Sequence, residues 1–136
     1  MERAIVTSRL ALRMPSEPAT EQDAPVAQDL LDTLAAHANE CVGLAANMVG
    51  VRKRIIAVDD NGTRRAMLNP EIMEKSGPYE TEEGCLSLPG RRGTTRYQSI
   101  MLRWQDADMA WREQRFSGWT AQIIQHEIDH CNGILI

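Results

Sequence analysis

A chain of 136 residues is long enough for one domain with one hydrophobic core, and its 43% hydrophobic and 25% charged residues are typical of a soluble globular protein. The net charge of −4 argues against direct nucleic-acid binding. No apolar run approaches the roughly 20 residues that span a bilayer, and the N-terminus lacks the apolar core of a signal peptide. The sequence therefore predicts a single domain over residues 1–136, located in the cytoplasm, without membrane contact.

The N-terminal third of the chain contains one predicted helix. Residues 4–6 (Ala-Ile-Val) predict a short strand, which a loop with two prolines follows. Asp23 suits the N-cap position and Pro25 the first turn of a helix that continues to about Glu40. The apolar residues that recur at helical spacing are Val26, Leu30, Leu31, Leu34 and Ala35.

Strands are predicted through the middle of the chain. Residues 54–59 predict a buried strand, and Asn61-Gly62 is a strong signal for a hairpin turn. Residues 81–90 are bounded by glycine and too irregular to predict a strand. The other predicted strands are 65–68, 71–75 (ending at the Ser-Gly-Pro of 76–78), 92–96, 100–104 with alternating apolar residues, and an edge strand at 110–116.

A second helix is predicted near the C-terminus. Ser117 suits its N-cap, and Asn132-Gly133 suits its C-cap. The order of helix, strands and helix predicts an α+β fold, in which mixed or antiparallel strands pack around this C-terminal helix, with one N-terminal helix.

Residues 125–130 (Gln-His-Glu-Ile-Asp-His) carry the strongest indication of chemistry. Because helical residues four apart share a face, His126 and His130 can offer two imidazoles to one metal ion, and Glu127 can reach a water on that ion. A helical wheel places these three against the apolar side, where a carboxylate is costly without a partner. A helix with two incidental histidines is the alternative. The opposite, solvated arc contains Gln122, Gln125, Asp129 and Asn132.

Two histidines leave a catalytic metal ion short of one protein ligand, since open sites usually have three ligands and a water. Besides the acidic residues, the candidates are the three cysteines, whose odd number argues against disulfides. Cys131 points about 100° away from His130 on the wheel and is poorly placed. Cys41 and Cys85 both remain, and sequence spacing does not choose between them.

The chain resembles the peptide deformylases over nearly its whole length. That family has three motifs in order, namely Gly-x-Gly-x-Ala-Ala-x-Gln, Glu-Gly-Cys-Leu-Ser and Gln-His-Glu-x-Asp-His. Residues 83–87 and 125–130 match the second and third motifs in full, and the two together in this order are highly specific. The resemblance implies a metal-dependent hydrolase that removes the formyl group from the N-terminal formylmethionine of newly made proteins.

The resemblance also implies the catalytic residues and the cofactor. Glu127 would be the general base and acid, and the backbones of Leu86 and Gly43 would assist at the reacting carbonyl. The cofactor would be one divalent ion, iron(II) in the cell, with zinc, nickel or cobalt able to replace it. The metal ligands would be Cys85, His126 and His130.

The implied substrates are formylmethionyl peptides or nascent chains, with a transient contact to the ribosome. The dense small residues of 41–50 would allow a substrate backbone to come close, although a tight helix–strand junction would also explain them. The implied substrate-binding residues are Val42, Gly43, Leu44, Met48, Gly84, Leu86, Arg92, Trp119, Gln122 and Ile123.

The first motif departs from the family pattern at both ends. Cys41 replaces its leading glycine and Met48 its closing glutamine, while residues 43–46 match. The glutamine helps to hold the formyl oxygen as charge builds there, and a thioether has no N–H to donate. Loss of one such donor costs about 2.7–4 kcal/mol of barrier. The sequence thus predicts a slower enzyme, a substitute donor such as Asn47 or a water molecule, or a changed substrate.

Three alternative functions follow from these departures and from the motif itself. Cys41 and Met48 favour a deformylase-like protein with weak or lost activity that acts on another N-acyl substrate or binds peptides. A closed structural metal site would use Cys41 as a fourth ligand. An ordinary His-Glu-x-x-His metallopeptidase is disfavoured, because the six residues after His130 include no His, Asp or Glu. Trp119 and Gln122, in the implied methionine pocket, also put that side-chain preference in question.

Overall fold

The computed structural model describes residues 1–136 and has one five-stranded sheet and three α-helices. The helices are α1 (Arg9–Leu12), α2 (Ala24–Ala36) and α3 (Gly118–Cys131). The strands are β1 (Gly43–Ala45), β2 (Ile55–Asp60), β3 (Thr63–Cys85), β4 (Leu88–Gln105) and β5 (Trp111–Ser117). They lie in sequence order, and every neighbouring pair is antiparallel. The predicted α+β class is confirmed.

The N-terminal region differs from its prediction in two places. Residues 4–6 do not form a strand, although the Val6 N–H donates to the Met48 carbonyl at 2.7 Å. Helix α2 contains Pro25 in its first turn as predicted, but it ends at Ala36 rather than near Glu40. Residues 37–40 (His-Ala-Asn-Glu) add no large apolar side chain to the buried face, so packing does not extend the helix.

A long β3–β4 hairpin positions the residues of the second motif. Strand β3 continues through residues 76–78 to Cys85, and β4 begins at Leu88, so most of the segment predicted to be irregular is strand. Gly77 has a φ of +71°, a conformation that glycine tolerates, and pairing with β4 resumes at Pro78. The hairpin therefore delivers Cys85 at the end of a rigid strand rather than on a loop.

The hydrophobic core lies between the sheet and the two longer helices. Helix α3 packs against β1, β2, β4 and β5, and α2 packs against β1, β2 and β3. The buried hydrophobic residues form one continuous cluster, whose largest fully buried members include Leu30, Leu34, Leu44, Ile55, Ile56, Leu68, Ile100, Leu102 and Ile124. None of the helices combines the length and the apolar character that a membrane crossing requires.

The arc of α3 that the helical wheel leaves to solvent is partly covered by the β3–β4 hairpin. Gln125 is only 5% exposed, because it accepts the Tyr97 N–H and donates to the Tyr97 carbonyl, each at 2.8 Å. The prediction for Gln125 was wrong, since a wheel describes one helix and contains no information about the hairpin that folds over it. Helix α3 is thus only partly exposed on this side.

Helix α3 ends as predicted. Ser117 is its N-cap, without a side-chain capping bond, and Asn132 is its C-cap. Gly133 follows with a φ of +75°, and the Ile134 N–H donates to the Asp129 carbonyl at 2.9 Å. This is the Schellman arrangement that a glycine after the C-cap favours.

Candidate active site

Three potential metal-binding side chains converge where the β3–β4 hairpin meets α3. His126 and His130 lie one turn apart on α3, and their Nε2 atoms are 3.2 Å apart. The Sγ of Cys85, at the end of β3, lies 3.3 Å from His130 Nε2. All three donor atoms lie within 4.8 Å of one another. Of the cysteines left open by the sequence, the structure brings Cys85 to the histidines.

The three atoms fit one small cation. Tetrahedral coordination with metal–ligand distances of about 2.0–2.3 Å places neighbouring ligand atoms roughly 3.3–3.6 Å apart, close to the 3.2 and 3.3 Å that separate His130 Nε2 from His126 Nε2 and Cys85 Sγ. The other ring nitrogen of His126, Nδ1, lies 2.8 Å from Glu83 Oε1, the carboxylate–histidine arrangement that usually orients a metal-binding imidazole. A thiolate and two imidazoles suit transition metals rather than magnesium or calcium.

The other two cysteines lie apart from this cluster. Cys41 is half-buried in the wall of the neighbouring cavity and is not among the convergent donors. Burial, and then the nearby Glu127, raises the pKa of the Cys41 thiol to about 11. Cys131 is buried in the core. The arrangement therefore offers three protein donors and does not supply Cys41 as a fourth.

Glu83 is a buried carboxylate that the sequence reasoning did not single out. It accepts from Arg96 through both oxygens, with Nη2 to Oε1 at 2.7 Å and Nε to Oε2 at 3.0 Å, and Arg96 also donates to Asp129 at 2.7 Å. Burial alone would raise the pKa of Glu83, but the hydrogen bonds from His126, Arg96 and Gln122 outweigh it and lower the pKa to about 2. Glu83 stands inside the second motif, yet nothing in the local sequence pairs it with His126.

The two histidines have opposite electrostatic surroundings. Burial alone would lower the pKa of His126, but Glu127, Cys85 and Glu83 outweigh it and raise the pKa to about 10. Burial, with the neighbouring His126, lowers the pKa of His130 to about 3, which keeps that ring neutral. The Glu127 and Glu83 carboxylates, which favour a proton on His126, would also favour a cation bound to the same ring.

Glu127 has the surroundings of a proton-transfer group. Its side chain is buried, its Oε1 has no hydrogen-bond partner in the protein, and burial raises its pKa to about 7. A general base works best with a pKa near the operating pH. Gly43 leaves room for this carboxylate, because a Cβ at position 43 would lie 2.8 Å from Glu127 Oε2 and 2.7 Å from Ile123 Cγ2.

A cavity of about 850 Å³ opens onto Glu127, His126 and Cys85. Most of the substrate-binding residues implied by the sequence line it, namely Val42, Gly43, Met48, Gly84, Leu86, Trp119, Gln122 and Ile123. Leu44 is fully buried behind the wall, and Arg92 donates to the Pro89 carbonyl and does not line the cavity, whereas Arg91 does. The sequence reasoning also missed residues 38–40, which follow α2 at the cavity rim.

Met48, the replacement for the family's glutamine, lies in the cavity wall. Its Sδ accepts the Ala45 N–H at 3.4 Å, and its side chain is 1% exposed. Asn47, the substitute donor suggested by the sequence, directs its Nδ2 to the His130 carbonyl at 2.8 Å and does not line the cavity. One of its two amide hydrogens is therefore used in holding α3.

Three convergent donors beside a buried glutamate, next to a large cavity in an α+β domain, are typical of metal-dependent hydrolases. The family model described as polypeptide deformylase matches residues 3–136. The chain is 50% identical to the peptide deformylase of Clostridium beijerinckii over 136 residues, which is 100% of both chains. The chain belongs to the peptide deformylase family, enzymes that remove the formyl group from an N-terminal methionine. This confirms the resemblance carried by the second and third motifs.

Solved structures agree with this assignment. The crystal structure of peptide deformylase from Thermotoga maritima superposes with a TM-score of 0.89 at 31% identity, covering 99% of this chain and 95% of that one. The Met-Ala-Ser-bound class I type b peptide deformylase from Acinetobacter baumannii has a TM-score of 0.88 at 28% identity, covering 99% of this chain and 97% of that one.

We expect Gly43→Ala to lower kcat/KM for formyl-Met-Ala-Ser by at least about 10-fold, because the new methyl group displaces Glu127 and small misplacements of catalytic groups are costly. Metal content should not change, since Gly43 is not one of the three convergent donors. Gly93→Ala is the matched control, because a Cβ there meets nothing within 4 Å. Equal activity of the two variants would show that Glu127 does not need this space.

Proposed function

We propose that Cys85, His126 and His130 hold one divalent metal ion in this deformylase, and that Glu127 moves the proton during hydrolysis. The observation that carries this assignment is the convergence of the three donor atoms within 4.8 Å, next to a buried glutamate with an unpaired oxygen. A thiolate and two imidazoles are consistent with iron(II), and zinc, nickel and cobalt suit the same ligands.

Glu127 acts first as a base and then as an acid. The bound ion supplies Lewis-acid activation of a water molecule. Glu127 accepts a proton from that water as the water oxygen attacks the formyl carbon. The same carboxylic acid then gives the proton to the amide nitrogen as the carbon–nitrogen bond breaks, which releases formate and a free N-terminal amine. Burial raises the pKa of Glu127, which suits a carboxyl group that must both accept and return a proton.

The backbone around the cavity binds the substrate and the developing negative charge. Leu86, in the turn between β3 and β4, directs its N–H to the formyl oxygen as that oxygen becomes an anion. Strand β1, with Gly43, is an edge of the sheet, so an extended peptide can pair with it as a further strand. Trp119 and Ile123 provide apolar surface for the methionine side chain.

The natural substrate of this proposal is the formylmethionyl end of a nascent chain. Such chains are made in the bacterial cytoplasm, which is where the protein would act, during a transient contact with the ribosome. The 39–50% identity to deformylases of bacteria supports the same substrate class.

The test is formate release from formyl-Met-Ala-Ser by anaerobically prepared iron protein, with acetyl-Met-Ala-Ser as the control. We expect formate from the first peptide and little or no acetate from the second. No formate above the enzyme-free rate would support the alternative that Met48 and Cys41 favour, a deformylase-like protein that binds peptides. Faster release of acetate would indicate another N-acyl substrate.

A further inference from the structure

A series of hydrogen bonds connects the surface of β3 to the candidate ligand His126. The Tyr79 hydroxyl donates to Gln122 Oε1 at 3.1 Å, and Gln122 Nε2 donates to Glu83 Oε2 at 2.9 Å. Glu83 Oε1 then meets His126 Nδ1 at 2.8 Å. At the position of Gln122 the family resemblance implies a residue in the wall of the methionine pocket. In this chain the Gln122 amide instead bonds to Glu83 and Tyr79.

The orientation of the Gln122 amide is fixed at both ends. Glu83 is paired with the Arg96 guanidinium through both oxygens, so it is an acceptor and the Gln122 NH₂ group must face it. The amide oxygen then faces the Tyr79 hydroxyl, which can donate. Both polar ends of Gln122 therefore bond within the protein.

Gln122 donates a hydrogen bond to Glu83 Oε2 alone, whereas no hydrogen bond from Arg96 is made to Oε2 alone. Glu83 Oε1 accepts from His126 and from Arg96 Nη2, whereas Oε2 accepts only from Gln122 and from an Arg96 Nε–H that lies almost equally close to Oε1. Without Gln122, Oε2 would keep only this shared hydrogen, and fewer bonds would hold the carboxylate in its present orientation. A less firmly held carboxylate orients the His126 ring less well.

We propose that Gln122, held by Tyr79, is a positioning residue that fixes Glu83 and through it the His126 imidazole, and that it does not select the substrate side chain. The proposal rests on the proposed metal-binding role of His126. It predicts that substitution of Gln122 weakens retention of the metal ion and leaves the preference for methionine unchanged.

The test measures the rate at which excess EDTA removes cobalt(II) from the loaded protein. The visible absorption of the cobalt–thiolate centre reports how much cobalt remains bound. Gln122→Leu, which replaces the amide by an apolar branched side chain of similar volume, should lose the ion roughly 10-fold faster, within the range typical of groups that support a metal ligand. Gln98→Leu, on the exposed surface of β4, is the control and should match the unmodified protein.

Tyr79→Phe distinguishes positioning from direct substrate contact, because Tyr79 does not line the cavity. It should accelerate cobalt loss in the same direction as Gln122→Leu but by less. In the Gln122→Leu background it should have almost no further effect, since residues that act through one partner are not additive.

Kinetics with two substrates complete the test. For both variants kcat should fall, while KM for formyl-Met-Ala-Ser and the rate ratio between formylmethionyl and formylnorleucyl peptides should remain unchanged. Altered KM or side-chain preference with unchanged cobalt loss would overturn the proposal and return Gln122 to the substrate pocket. If the unmodified protein releases formate but neither substitution changes the rate of cobalt loss, this inference alone is overturned. Failure of the unmodified protein to bind cobalt would overturn both it and the proposed function.

Discussion

Glu127→Gln should reduce kcat for formyl-Met-Ala-Ser by about 10²–10⁴-fold, the usual contribution of a general base and acid. Glutamine has nearly the same shape but cannot accept or return the proton. Metal content should stay at the unmodified level, because Glu127 is not one of the three convergent donors. The measurement is formate release together with metal analysis of the same preparation.

Glu113→Gln, on the exposed edge strand β5, is the matched control for this change and should leave kcat unaltered. Retained turnover in Glu127→Gln with a full complement of metal would remove Glu127 from its role. Loss of both metal and turnover would instead indicate that Glu127 supports the binding site rather than the proton transfer.

Met48→Gln should raise kcat by about 10²–10³-fold, because one oxyanion donor is worth roughly 2.7–4 kcal/mol. The local geometry accepts the change. Glutamine is close to methionine in length, and its Oε1 can accept the Ala45 N–H that now points to the Met48 Sδ at 3.4 Å. Its NH₂ group would then face the cavity, where the formyl oxygen becomes negative.

Met48→Leu separates this electrostatic effect from a change in packing, since leucine fills similar volume without a donor. We expect Met48→Leu to remain at or below the unmodified rate. If Met48→Gln does not exceed Met48→Leu, some other group already stabilises the oxyanion, and the interpretation of Met48 as a missing donor is wrong. Asn47 is a poor candidate for that group because its side chain does not line the cavity.

The features that could be predicted from the sequence are those with a local signal. The spacing of His126 and His130 places both on one helical face whatever surrounds the helix, and the apolar period of α3 correctly predicts that Glu127 is buried. Cys85 could be connected to them only through a family motif, because no local rule relates residues so distant in the chain.

Features that depend on how distant segments pack could not be predicted. Gly77 and Pro78 are ordinary signals for the end of a strand, yet the partner strand β4 supplies pairing on both sides of them. The Glu83–Arg96 ion pair and the buried Gln125 arise only when the hairpin folds over α3. The cavity rim at residues 38–40 follows from the early end of α2, which neither caps nor periodicity indicate.

The origin of the donor atoms on two separate segments has a consequence for the whole protein. An unfolded chain cannot hold the thiol at the tip of the hairpin against the imidazoles of α3, so an ion that needs all three binds the native form alone. By thermodynamic linkage its binding energy is added to the free energy of folding. The concentration of the ion in the cell would therefore affect the resistance of the enzyme to heat and proteases as well as its activity.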